Sequence, residues 1–381
     1  MPNPNNSIPT LGILGGGQLG RMLIQEALNW NIQVHVLDPD KNCPCADIAS
    51  KFVCGDFRDY ETVIEFCKGL DFITIEIEQV NTEALLKLSS EGAQVFPQPE
   101  LVDMIKDKGL QKQFYTENAI PTSDFRLLNS REELEQLSDD FFPCFQKTRR
   151  DGYDGKGVQF LSGRGDISKG FDSPSLVEKA VSIQMEFALI GVGNGLGECS
   201  IFPPVEMEFH PGENLVEYLI VPAELTDSQL HEAGTIVRRI FKATQLRGLL
   251  AVEFFLSAEG RILVNEMAPR PHNSGHTTIE GNFSSQFAEH LRAVLGWPAG
   301  DTSLRCASVM INLLGAEGHS GKAVYEGLSD VLAAPGVYVH LYGKYVTKPY
   351  RKMGHITVLG SNRQEARDKA DLIRNSIKIV T

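Results

Sequence analysis

The sequence predicts an α/β protein with more than one domain, and three observations support this. In the first hundred residues, short apolar segments alternate with segments of helical spacing, a pattern typical of a doubly wound parallel sheet. From about 143 to 225 the pattern changes to short strands with Gly and Pro turns, and long helices follow. A chain of 381 residues also suits two or three domains of ordinary size.

The N-terminal region contains three predicted strand–helix units. A glycine-rich turn follows the first strand, and an Asp-Pro-Asp sequence at 38–40 ends the second. Because helices separate the strands, we expect the strands to run parallel. The predicted strands cover residues 11–14, 34–37 and 72–75, and the predicted helices cover residues 19–28, 60–67 and 82–88.

The rest of the chain is predicted to combine long helices with paired strands. A turn at 257–260 joins two clear strands, and a Gly-Trp-Pro sequence at 296–298 ends a long helix. Ser361 and Gln364 fit a Ser-x-x-Gln capping box, which predicts a last helix from Asn362. The predicted helices cover 107–117, 227–245 and about 284–295, and the two clear strands cover 248–256 and 261–266.

The net charge of −13 argues against general binding to nucleic acids or anionic membranes, because an acidic surface repels both. Any phosphate site must therefore be a local cluster of cations. No apolar run approaches the roughly 20 residues of a membrane helix, and no signal-peptide-like segment follows Met1. Together with seven scattered cysteines in no metal-ligand spacing, these features predict a cytoplasmic protein with reduced thiols.

The first glycine-rich segment, residues 15–20, fits the Gly-x-Gly-x-x-Gly pattern of dinucleotide-binding domains. It lies between a predicted strand and a predicted helix, and Asp38 ends the next strand. Such a turn points backbone N–H groups at an anion. NAD is one such anion; a tight turn that only packs helix against strand is the competing interpretation. No Gly-x-x-x-x-Gly-Lys-[Ser/Thr] sequence occurs, so ATP would need another architecture.

The central segment, residues 145–158, is the densest in charged and flexible residues. Four cations lie within ten residues, Lys147 the first of them, and three glycines accompany the last. A Gly-rich hairpin can close over phosphates with its amides while the preceding lysine meets their charge. An exposed charged hairpin is the alternative, and Tyr153 with the glycines argues against it.

Two acidic residues on the paired strands indicate a metal site. Glu253 has apolar neighbours on its strand, and Asn265 and Glu266 end the following strand. Buried carboxylates are costly unless they are paired or bind a cation. Two carboxylates and an amide suit Mg²⁺, which prefers oxygen ligands and keeps positions for nucleotide phosphates. Two salt-bridged core carboxylates are the alternative.

Two loops carry polar side chains suited to a substrate. His272 and His276 have the spacing of a helical zinc pair, but Pro271 and Gly275 argue against a helix, so we expect a substrate-facing loop. Residues 344–355 form a basic segment in an acidic protein. A phosphomonoester is a plausible occupant of this segment, and a solvated basic hairpin is the alternative.

These segments, in this order, resemble the ATP-grasp superfamily, and within it the N5-carboxyaminoimidazole ribonucleotide synthetases of purine biosynthesis. The resemblance spans nearly the whole chain and is most specific in the central motif and in the loop after the second carboxylate. The matching motifs are Gly-Gly-Gly-Gln-Leu-Gly-Arg-Met at 15–22, Glu-Ile-Glu at 76–78, Lys-Thr-Arg-Arg-Asp-Gly-Tyr-Asp-Gly-Lys-Gly at 147–157, Asn-Glu-Met-Ala-Pro-Arg-Pro-His-Asn-Ser-Gly-His at 265–276 and Tyr-Arg-Lys-Met-Gly-His at 350–355.

The resemblance implies an ATP-grasp fold in three parts. An N-terminal doubly wound parallel-sheet (pre-ATP-grasp) domain would cover 1–106, an ATP-grasp domain 107–298 with a mobile lid at about 120–190, and a small β-rich C-terminal domain 299–381. It also implies the reaction: ATP phosphorylates bicarbonate to carboxyphosphate, which yields CO₂ to the exocyclic amine of 5-aminoimidazole ribonucleotide. Mg²⁺ or Mn²⁺ would be the metal, and a homodimer is expected.

The resemblance also assigns residues to four groups. Glu178 and Val181 would meet adenine, and Glu186 the ribose. The ATP-binding group is Lys108, Lys147, Asp151, Gly152, Gly155, Gly157, Glu178, Lys179, Ala180, Val181, Glu186, Asn265 and Glu266. The metal ligands are Glu253 and Glu266. The catalytic group is Tyr153, Asp154, Lys156, Glu76 and His276. The substrate-binding group is Gly17, Gln18, Glu76, Arg270, His272, Asn273, Ser274, Lys348, Arg351 and Lys352.

The sequence leaves three alternative functions open. Formate-dependent glycinamide ribonucleotide transformylase and biotin carboxylase share the ATP-grasp type, but the loop at 272–276 and the short C-terminal unit speak against them. An NAD-dependent oxidoreductase would rest on residues 15–20. A catalytically inactive nucleotide-binding protein is the third, and the intact Tyr153, Asp154 and carboxylate pair argue against it.

Overall fold

A five-stranded parallel sheet flanked by helices forms the N-terminal part of the protein. The computed structural model describes residues 8–150, 157–210 and 215–381. The strands are β1 (Thr10–Leu14), β2 (Gln33–Asp38), β3 (Lys51–Cys54), β4 (Phe72–Ile75) and β5 (Gln94–Val95). The helices are α1 (Gln18–Asn29), α2 (Tyr60–Cys67), α3 (Thr82–Ser90), α4 (Pro99–Lys106) and α5 (Lys108–Glu117). The strand order β3-β2-β1-β4-β5 confirms the predicted doubly wound sheet.

The elements that the sequence missed here are the short or half-buried ones. The predicted helix 60–67 and strand 72–75 agree with α2 and β4 residue for residue. β3 has only three apolar residues and none of them is fully buried, and β5 has only two residues, so both strands are too short to show a pattern of spacing. Helix α4 was also missed, although Pro99 in its first turn is a recognised start signal.

The middle of the chain is built on two sheets. The strands are β6 (Phe125–Leu128), β7 (Cys144–Thr148), β8 (Val158–Leu161), β9 (Ser175–Lys179), β10 (Ile183–Asn194), β11 (Cys199–Ile201), β12 (Val205–Phe209), β13 (Val216–Val221), β14 (Arg247–Ser257) and β15 (Ile262–Ala268). The helices are α6 (Asp227–Thr244), α7 (Thr278–Gly281) and α8 (Gln286–Leu295). Strands β6 to β9 form a separate four-stranded sheet in the order β6-β9-β7-β8, which we call the lid sheet.

The C-terminal strands join the larger of these sheets. They are β16 (Ala307–Leu314), β17 (Gly321–Lys322), β18 (Val324–Glu326), β19 (Val337–Leu341), β20 (Val346–Thr347), β21 (Lys352–Gly360) and β22 (Lys378–Val380), with helices α9 (Leu328–Ala333) and α10 (Arg363–Arg374). The central sheet runs β15-β14-β10-β12-β13-β16-β21-β19, with β11 beside β10. Because β13 pairs with β16, the C-terminal part extends the sheet of the middle part.

The start of α10 corrects one prediction. Asn362, not Ser361, is the N-cap: its side-chain oxygen accepts the N–H of Glu365 at 3.0 Å. The carboxylate of Glu365 accepts the N–H of Ser361 at 2.9 Å. Gln364 instead donates to Asp368 along the helix surface. The predicted capping box was therefore wrong by one residue, because Asn caps a helix as well as Ser does.

Apolar packing between helices and the central sheet holds the middle of the molecule together. Phe187 and Phe254 stack on neighbouring strands with ring centroids 5.0 Å apart, and α6 packs on the same face. A Thr226–Gln229 capping box begins α6, and Gln245 ends it with a φ of 48°. Among the described residues, no helix is both long and apolar enough to cross a membrane.

Candidate active site

A cavity of about 650 Å³ lies between the lid sheet and the central sheet. Strands β7 and β9 contribute to one wall, and β14, β15 and the loop after β15 contribute to the other. Apolar side chains such as Phe145, Phe209 and Phe255 share the lining with lysines and carboxylates. This mixture suits a ligand that has a flat apolar part and a charged part.

Two lysines share one buried carboxylate beside this cavity. Glu178 on β9 lies 2.6 Å from the amino group of Lys147 on β7 and 2.5 Å from that of Lys112 on α5. Ser123 donates a further hydrogen bond to Glu178 at 2.6 Å. Burial opposes the charge of Glu178, but Lys147 and Lys112 outweigh it and hold the pKa of this carboxyl well below its usual range.

This geometry changes the predicted role of Glu178. Its side chain is 5% exposed and is ion-paired with two lysines, so it holds Lys147 in place rather than offering a free carboxylate to adenine. Lys147 lines the cavity as predicted; burial disfavours its charge, but Glu178 and neighbouring carboxylates raise its pKa above the ordinary value. Lys112 was missed because a lysine on a helix gives no sign in the sequence that a carboxylate from a distant strand will bury it.

The predicted metal ligands Glu253 and Glu266 both line the cavity. Lys108 approaches Glu266 at 3.1 Å and lowers its pKa. Burial, together with the charge of Glu266, raises the pKa of Glu253. Asn265 and His272 contact Glu253 only weakly, each at 3.5 Å. The neighbours of Glu253 therefore do little to stabilise its ionised form, and a divalent cation would supply the missing positive charge and favour ionisation.

The two carboxylates fit a metal ion that completes its coordination with the phosphates of a bound nucleotide. Among the residues that the structure describes, no group of three or more His, Cys, Asp or Glu side chains could hold a metal ion by itself. Mg²⁺ commonly uses one or two carboxylates and fills its remaining positions with water and phosphate oxygens. Glu253 and Glu266 match that requirement.

The other predicted nucleotide contacts, together with the catalytic residues of the same motif, are placed in four different ways. Lys179, Val181 and Glu186 line the cavity, and burial raises the pKa of Glu186 to about 7. Ala180 does not line it; its N–H donates to the carbonyl of Pro143 at 2.9 Å. Gly157 borders a neighbouring recess with Arg149 and Arg150. Outside the described residues lie Asp151, Gly152, Tyr153, Asp154, Gly155 and Lys156.

The loop after β15 and the start of β21 bring half of the predicted substrate contacts together. Arg270, with a 2.9 Å ion pair to Glu78, lines the cavity with three residues that follow it and with the start of β21. These four residues are His272, Asn273, Ser274 and Lys352. Glu78 was not assigned a role from the sequence, although it belongs to the Glu-Ile-Glu motif.

The basic segment at 344–355 is only partly placed as predicted. Lys348 is exposed and Arg351 donates to the carbonyl of Val346 at 2.6 Å, and neither lines the cavity. Lys344, which was not predicted, donates to Gln18 and to the carbonyl of Lys352, both at 2.6 Å. The segment turns at Lys344 and again before β21, so sequence alone could not show which cations face inward.

His276 is fully buried, and it does not line the cavity. Its ring lies between Phe287, Tyr342 and His355, with the His355 ring centroid at 4.7 Å. Burial lowers the pKa of His276 well below its usual range, so the ring is neutral. In this arrangement His276 does not meet a substrate directly, contrary to the catalytic contact expected from the sequence.

The N-terminal glycine-rich loop binds carboxylates of the protein itself. The N–H of Gly16 donates to Asp38 at 2.7 Å, and those of Gly17 and Gly20 donate to Glu76 at 3.0 and 3.2 Å. Burial raises the pKa of Glu76 to about 7, although these N–H groups oppose the rise. A Cβ at Gly17 would lie 2.5 Å from the Glu76 carboxylate.

This arrangement argues against the NAD alternative. The places where a dinucleotide pyrophosphate would accept N–H bonds are taken by Asp38 and Glu76. Gly17, Gln18 and Glu76 also do not line the cavity. Gln18 and Glu76 are connected to the cavity only indirectly. Gln18 accepts a hydrogen bond from Lys344, and Glu76 lies near the charge of Arg270, which lines the cavity.

Three known domain families match the chain in order. Residues 8–106 match the ribonucleotide synthetase preATP-grasp domain, and residues 113–287 match the ATP-grasp domain. Residues 308–369 match the phosphoribosylaminoimidazole carboxylase C-terminal domain. The predicted ATP-grasp fold class is thereby confirmed.

Whole-chain comparisons agree with these matches. The N5-carboxyaminoimidazole ribonucleotide synthase of Synechocystis sp. is 37% identical over 365 residues, which is 92% of each chain. The crystal structure of the Thermotoga maritima synthetase has a TM-score of 0.90 and 36% identity over 98% of this chain and 100% of that one. An Aspergillus clavatus synthase was solved with ADP and 5-aminoimidazole ribonucleotide. Its structure has a TM-score of 0.87 and 33% identity over 97% of this chain and 98% of that one. The chain therefore belongs to the N5-carboxyaminoimidazole ribonucleotide synthase family of ATP-grasp enzymes.

Proposed function

We propose that this protein carboxylates 5-aminoimidazole ribonucleotide to N5-carboxyaminoimidazole ribonucleotide in purine biosynthesis, using ATP and bicarbonate. The observation that carries the proposal is one cavity lined by Lys147, by the Glu253–Glu266 pair and by the loop from Arg270 to Ser274. The Aspergillus clavatus relative, solved with ADP and the aminoimidazole substrate, has the same fold over nearly the whole chain.

On the nucleotide side, Lys108 and Lys147 would meet the phosphates of ATP. Their amino groups are already held by Glu266 and Glu178, so they need no rearrangement to stabilise charge on a transferring phosphoryl group. Glu253 and Glu266 would hold Mg²⁺ or Mn²⁺, which supplies positive charge at the phosphate oxygens when bound. Lys179, Val181 and Glu186 would contact the nucleoside.

The proposed reaction has two bond-forming steps. A bicarbonate oxygen attacks the γ-phosphorus of ATP, the bond to ADP breaks, and carboxyphosphate forms. Carboxyphosphate then releases phosphate and CO₂, and the exocyclic amine of the aminoimidazole forms a bond to that carbon and loses a proton. Tyr153, Asp154 and Lys156, predicted from the family motif, would serve these steps. Carboxyphosphate hydrolyses readily, so a lid that excludes water is required, and the lid sheet suits this role.

On the substrate side, Arg270, His272, Asn273, Ser274 and Lys352 would contact 5-aminoimidazole ribonucleotide. Their common place on the cavity wall supports this set. To the predicted phosphate contacts we add Lys344, because its amino group lies against the main chain of Lys352. We expect Lys344→Ala to raise the KM for this substrate more than Lys348→Ala does.

The direct test is ADP release by the purified protein. We expect ATP turnover that depends on 5-aminoimidazole ribonucleotide and on bicarbonate, with one ADP formed per carboxylated product. Glycinamide ribonucleotide with formate, the substrates of the rival ATP-grasp ligase, should not stimulate turnover. A rate that neither aminoimidazole ribonucleotide nor bicarbonate changes would contradict the proposal.

A homodimer and a cytoplasmic location are also part of the proposal. The family resemblance predicts the homodimer, and the scattered cysteines, which indicate reduced thiols, support the location. The net charge of −13 is consistent with small anionic substrates bound at a local cation cluster rather than with a nucleic-acid partner. Sedimentation of the purified protein tests the dimer, and a monomer at all concentrations would contradict it.

A further inference from the structure

The first residue of α8, Gln286, is fully buried and holds the substrate loop by its main chain. Its side-chain oxygen accepts the N–H of His272 at 2.9 Å, and its amide nitrogen donates to the carbonyl of His272 at 2.8 Å. One side chain thus pairs with both backbone groups of His272, as a neighbouring strand would. Because His272 N–H can only donate, the orientation of the Gln286 amide is fixed.

The second N–H of the same amide reaches the buried histidine of the motif. The Gln286 nitrogen lies 3.3 Å from Nδ1 of His276, which accepts this hydrogen because the ring is neutral. Gln286 therefore uses its one acceptor oxygen and both donor hydrogens on two residues four apart in the chain. The His-x-x-x-His spacing, read as a possible zinc pair in sequence, serves one glutamine instead.

The surrounding contacts show that this position has little freedom. The N–H of Gln286 donates to Thr278 at 2.8 Å, and the Thr278 hydroxyl donates to the carbonyl of Gly275 at 2.5 Å. A Cβ at Gly275 would lie 2.3 Å from the Gln286 oxygen, so glycine is the residue that admits this amide. The loop is fixed at His272, Gly275 and His276 by one helix terminus.

On its other side the same loop faces the cavity. The His272 ring accepts from the Ser274 hydroxyl at 2.9 Å and from the Ser274 N–H at 3.3 Å through Nδ1, which leaves the proton on Nε2 towards Glu253. His272, Asn273 and Ser274 all line the cavity. A shift of the His272 main chain would move all three side chains together.

We propose that Gln286 is a positioning residue for the substrate loop, and that His276 acts through Gln286 rather than on the substrate. The inference rests on the proposed function for the identity of the substrate. Gln286 lies outside the cavity lining, so its removal should affect binding of the aminoimidazole ribonucleotide and leave the nucleotide side intact.

Gln286→Met, which keeps the length of the side chain and removes its polar atoms, is the main test. We expect the KM for 5-aminoimidazole ribonucleotide to rise at least tenfold while the KM for ATP changes less than twofold. Ser285→Ala is the matched control: it removes the N-cap of the same helix, whose hydroxyl accepts the N–H of Ala288 at 3.0 Å, without touching His272. It should lower the melting temperature and leave both KM values unchanged.

Gln286→Glu is the second variant, and it decides the question if Gln286→Met does not fold. It keeps the acceptor for the His272 N–H and loses the amide NH₂ that donates to His272 and His276, so the KM for the aminoimidazole ribonucleotide should rise severalfold over the wild type while the KM for ATP stays unchanged. If both KM values of a folded variant stay unchanged, as in Ser285→Ala, or rise by the same factor, Gln286 has only a stabilising role and the inference is overturned.

Imidazole ¹⁵N NMR separates this inference from the proposed function, because it requires no turnover. In the wild-type protein, His272 and His276 should both show an unprotonated Nδ1 that accepts a hydrogen bond, and the His276 signal should shift in Gln286→Met. If the His276 signal shifts in Gln286→Met but the wild type shows no aminoimidazole-dependent turnover, the proposed function is contradicted. The contact between Gln286 and His276 is then still supported. Unchanged His272 and His276 signals in Gln286→Met would sink the inference itself.

Discussion

The glycine-rich loop at 15–20 and the lysine-lined cavity both carry sequence signals for a nucleotide anion, yet they differ in what fills them. In the loop, three backbone N–H groups donate to Asp38 and Glu76, and there is no room for a Cβ at Gly17. In the cavity, cations and carboxylates face about 650 Å³ of open space, and Glu266 is 46% exposed. A motif can predict that an anion binds, but the free space at the site decides whether that anion is a carboxylate of the protein or a phosphate of a ligand.

The comparison also explains the motif at 76–78. The N-terminus of α1 carries partial positive charge and unpaired N–H groups, which a carboxylate satisfies as a phosphate would. Glu76 occupies that place from β4, the neighbouring strand of the parallel sheet. Glu78, two residues later, pairs with Arg270 at the cavity wall. The Glu-Ile-Glu motif therefore contributes one carboxylate to the glycine-rich loop and one to the cavity wall.

Lys112→Met should have the largest effect on stability. The lysine is 2% exposed and lies 2.5 Å from Glu178, so its loss leaves a buried carboxylate with one cation fewer. We expect the free energy of unfolding to fall by about 3–5 kcal/mol, as for other broken buried pairs. Lys68→Met, which removes an exposed pair with Glu65, is the control and should change it by less than about 1 kcal/mol. Urea unfolding measures both, and an equally small loss in Lys112→Met would mean that Lys147 alone holds Glu178.

Glu266→Gln should have the next largest effect, on activity rather than on stability. The change removes a proposed metal ligand and the partner of Lys108. We expect kcat for ADP release to fall about 100-fold, equivalent to about 2.7 kcal/mol, while the fold persists. Glu259→Gln, at the exposed turn joining the same two strands, should be fully active. Near-normal ADP release by Glu266→Gln would refute the metal assignment.

Glu76→Gln should change how stability depends on pH. The pKa of Glu76 is raised to about 7 in the folded protein, so the folded state binds the proton more tightly than the unfolded chain. Ionisation of Glu76 therefore lowers the stability of the wild type as pH rises from about 5 to about 8, by about 2.5 kcal/mol. The glutamine variant lacks this loss, so its stability relative to wild type should rise by that amount over the same range.

Denaturant unfolding at several pH values measures this difference. Glu83→Gln, an exposed change on α3, is the control and should run parallel to wild type. If the difference between Glu76→Gln and wild type stays constant from about pH 5 to pH 8, Glu76 is not the strained, enclosed anion that the comparison requires.

Much of the fold was predictable because its signals are local. Helices α2, α6 and α8 and strands β4, β14 and β15 follow from apolar spacing and end signals within each segment. The pairing of β13 with β16, which carries the central sheet into the C-terminal part, was not predictable. Pairing depends on which strand lies alongside, and no pattern within either strand records that.

The site was predictable where a residue type is unusual for its place. Glu253 and Glu266 stand out as carboxylates on apolar strands, and Lys147 as a cation before a Gly-rich turn. Lys112 has an ordinary place on a helix, and its burial depends on Glu178 from a distant strand. His276 belongs to the same motif as the cavity residues. Only the position of α8 shows that its side chain points away from the cavity, towards Gln286.

Nucleotide binding followed by melting temperature tests the central claim most directly. ATP with Mg²⁺ at about 100 times its Kd should stabilise the protein by about 2.7 kcal/mol, and NAD at the same concentration should leave the melting temperature unchanged. Lys147→Met should lose the ATP shift, because Lys147 lines the cavity. A rise with NAD, or an ATP shift that survives in Lys147→Met, would contradict the assignment of the nucleotide to the cavity.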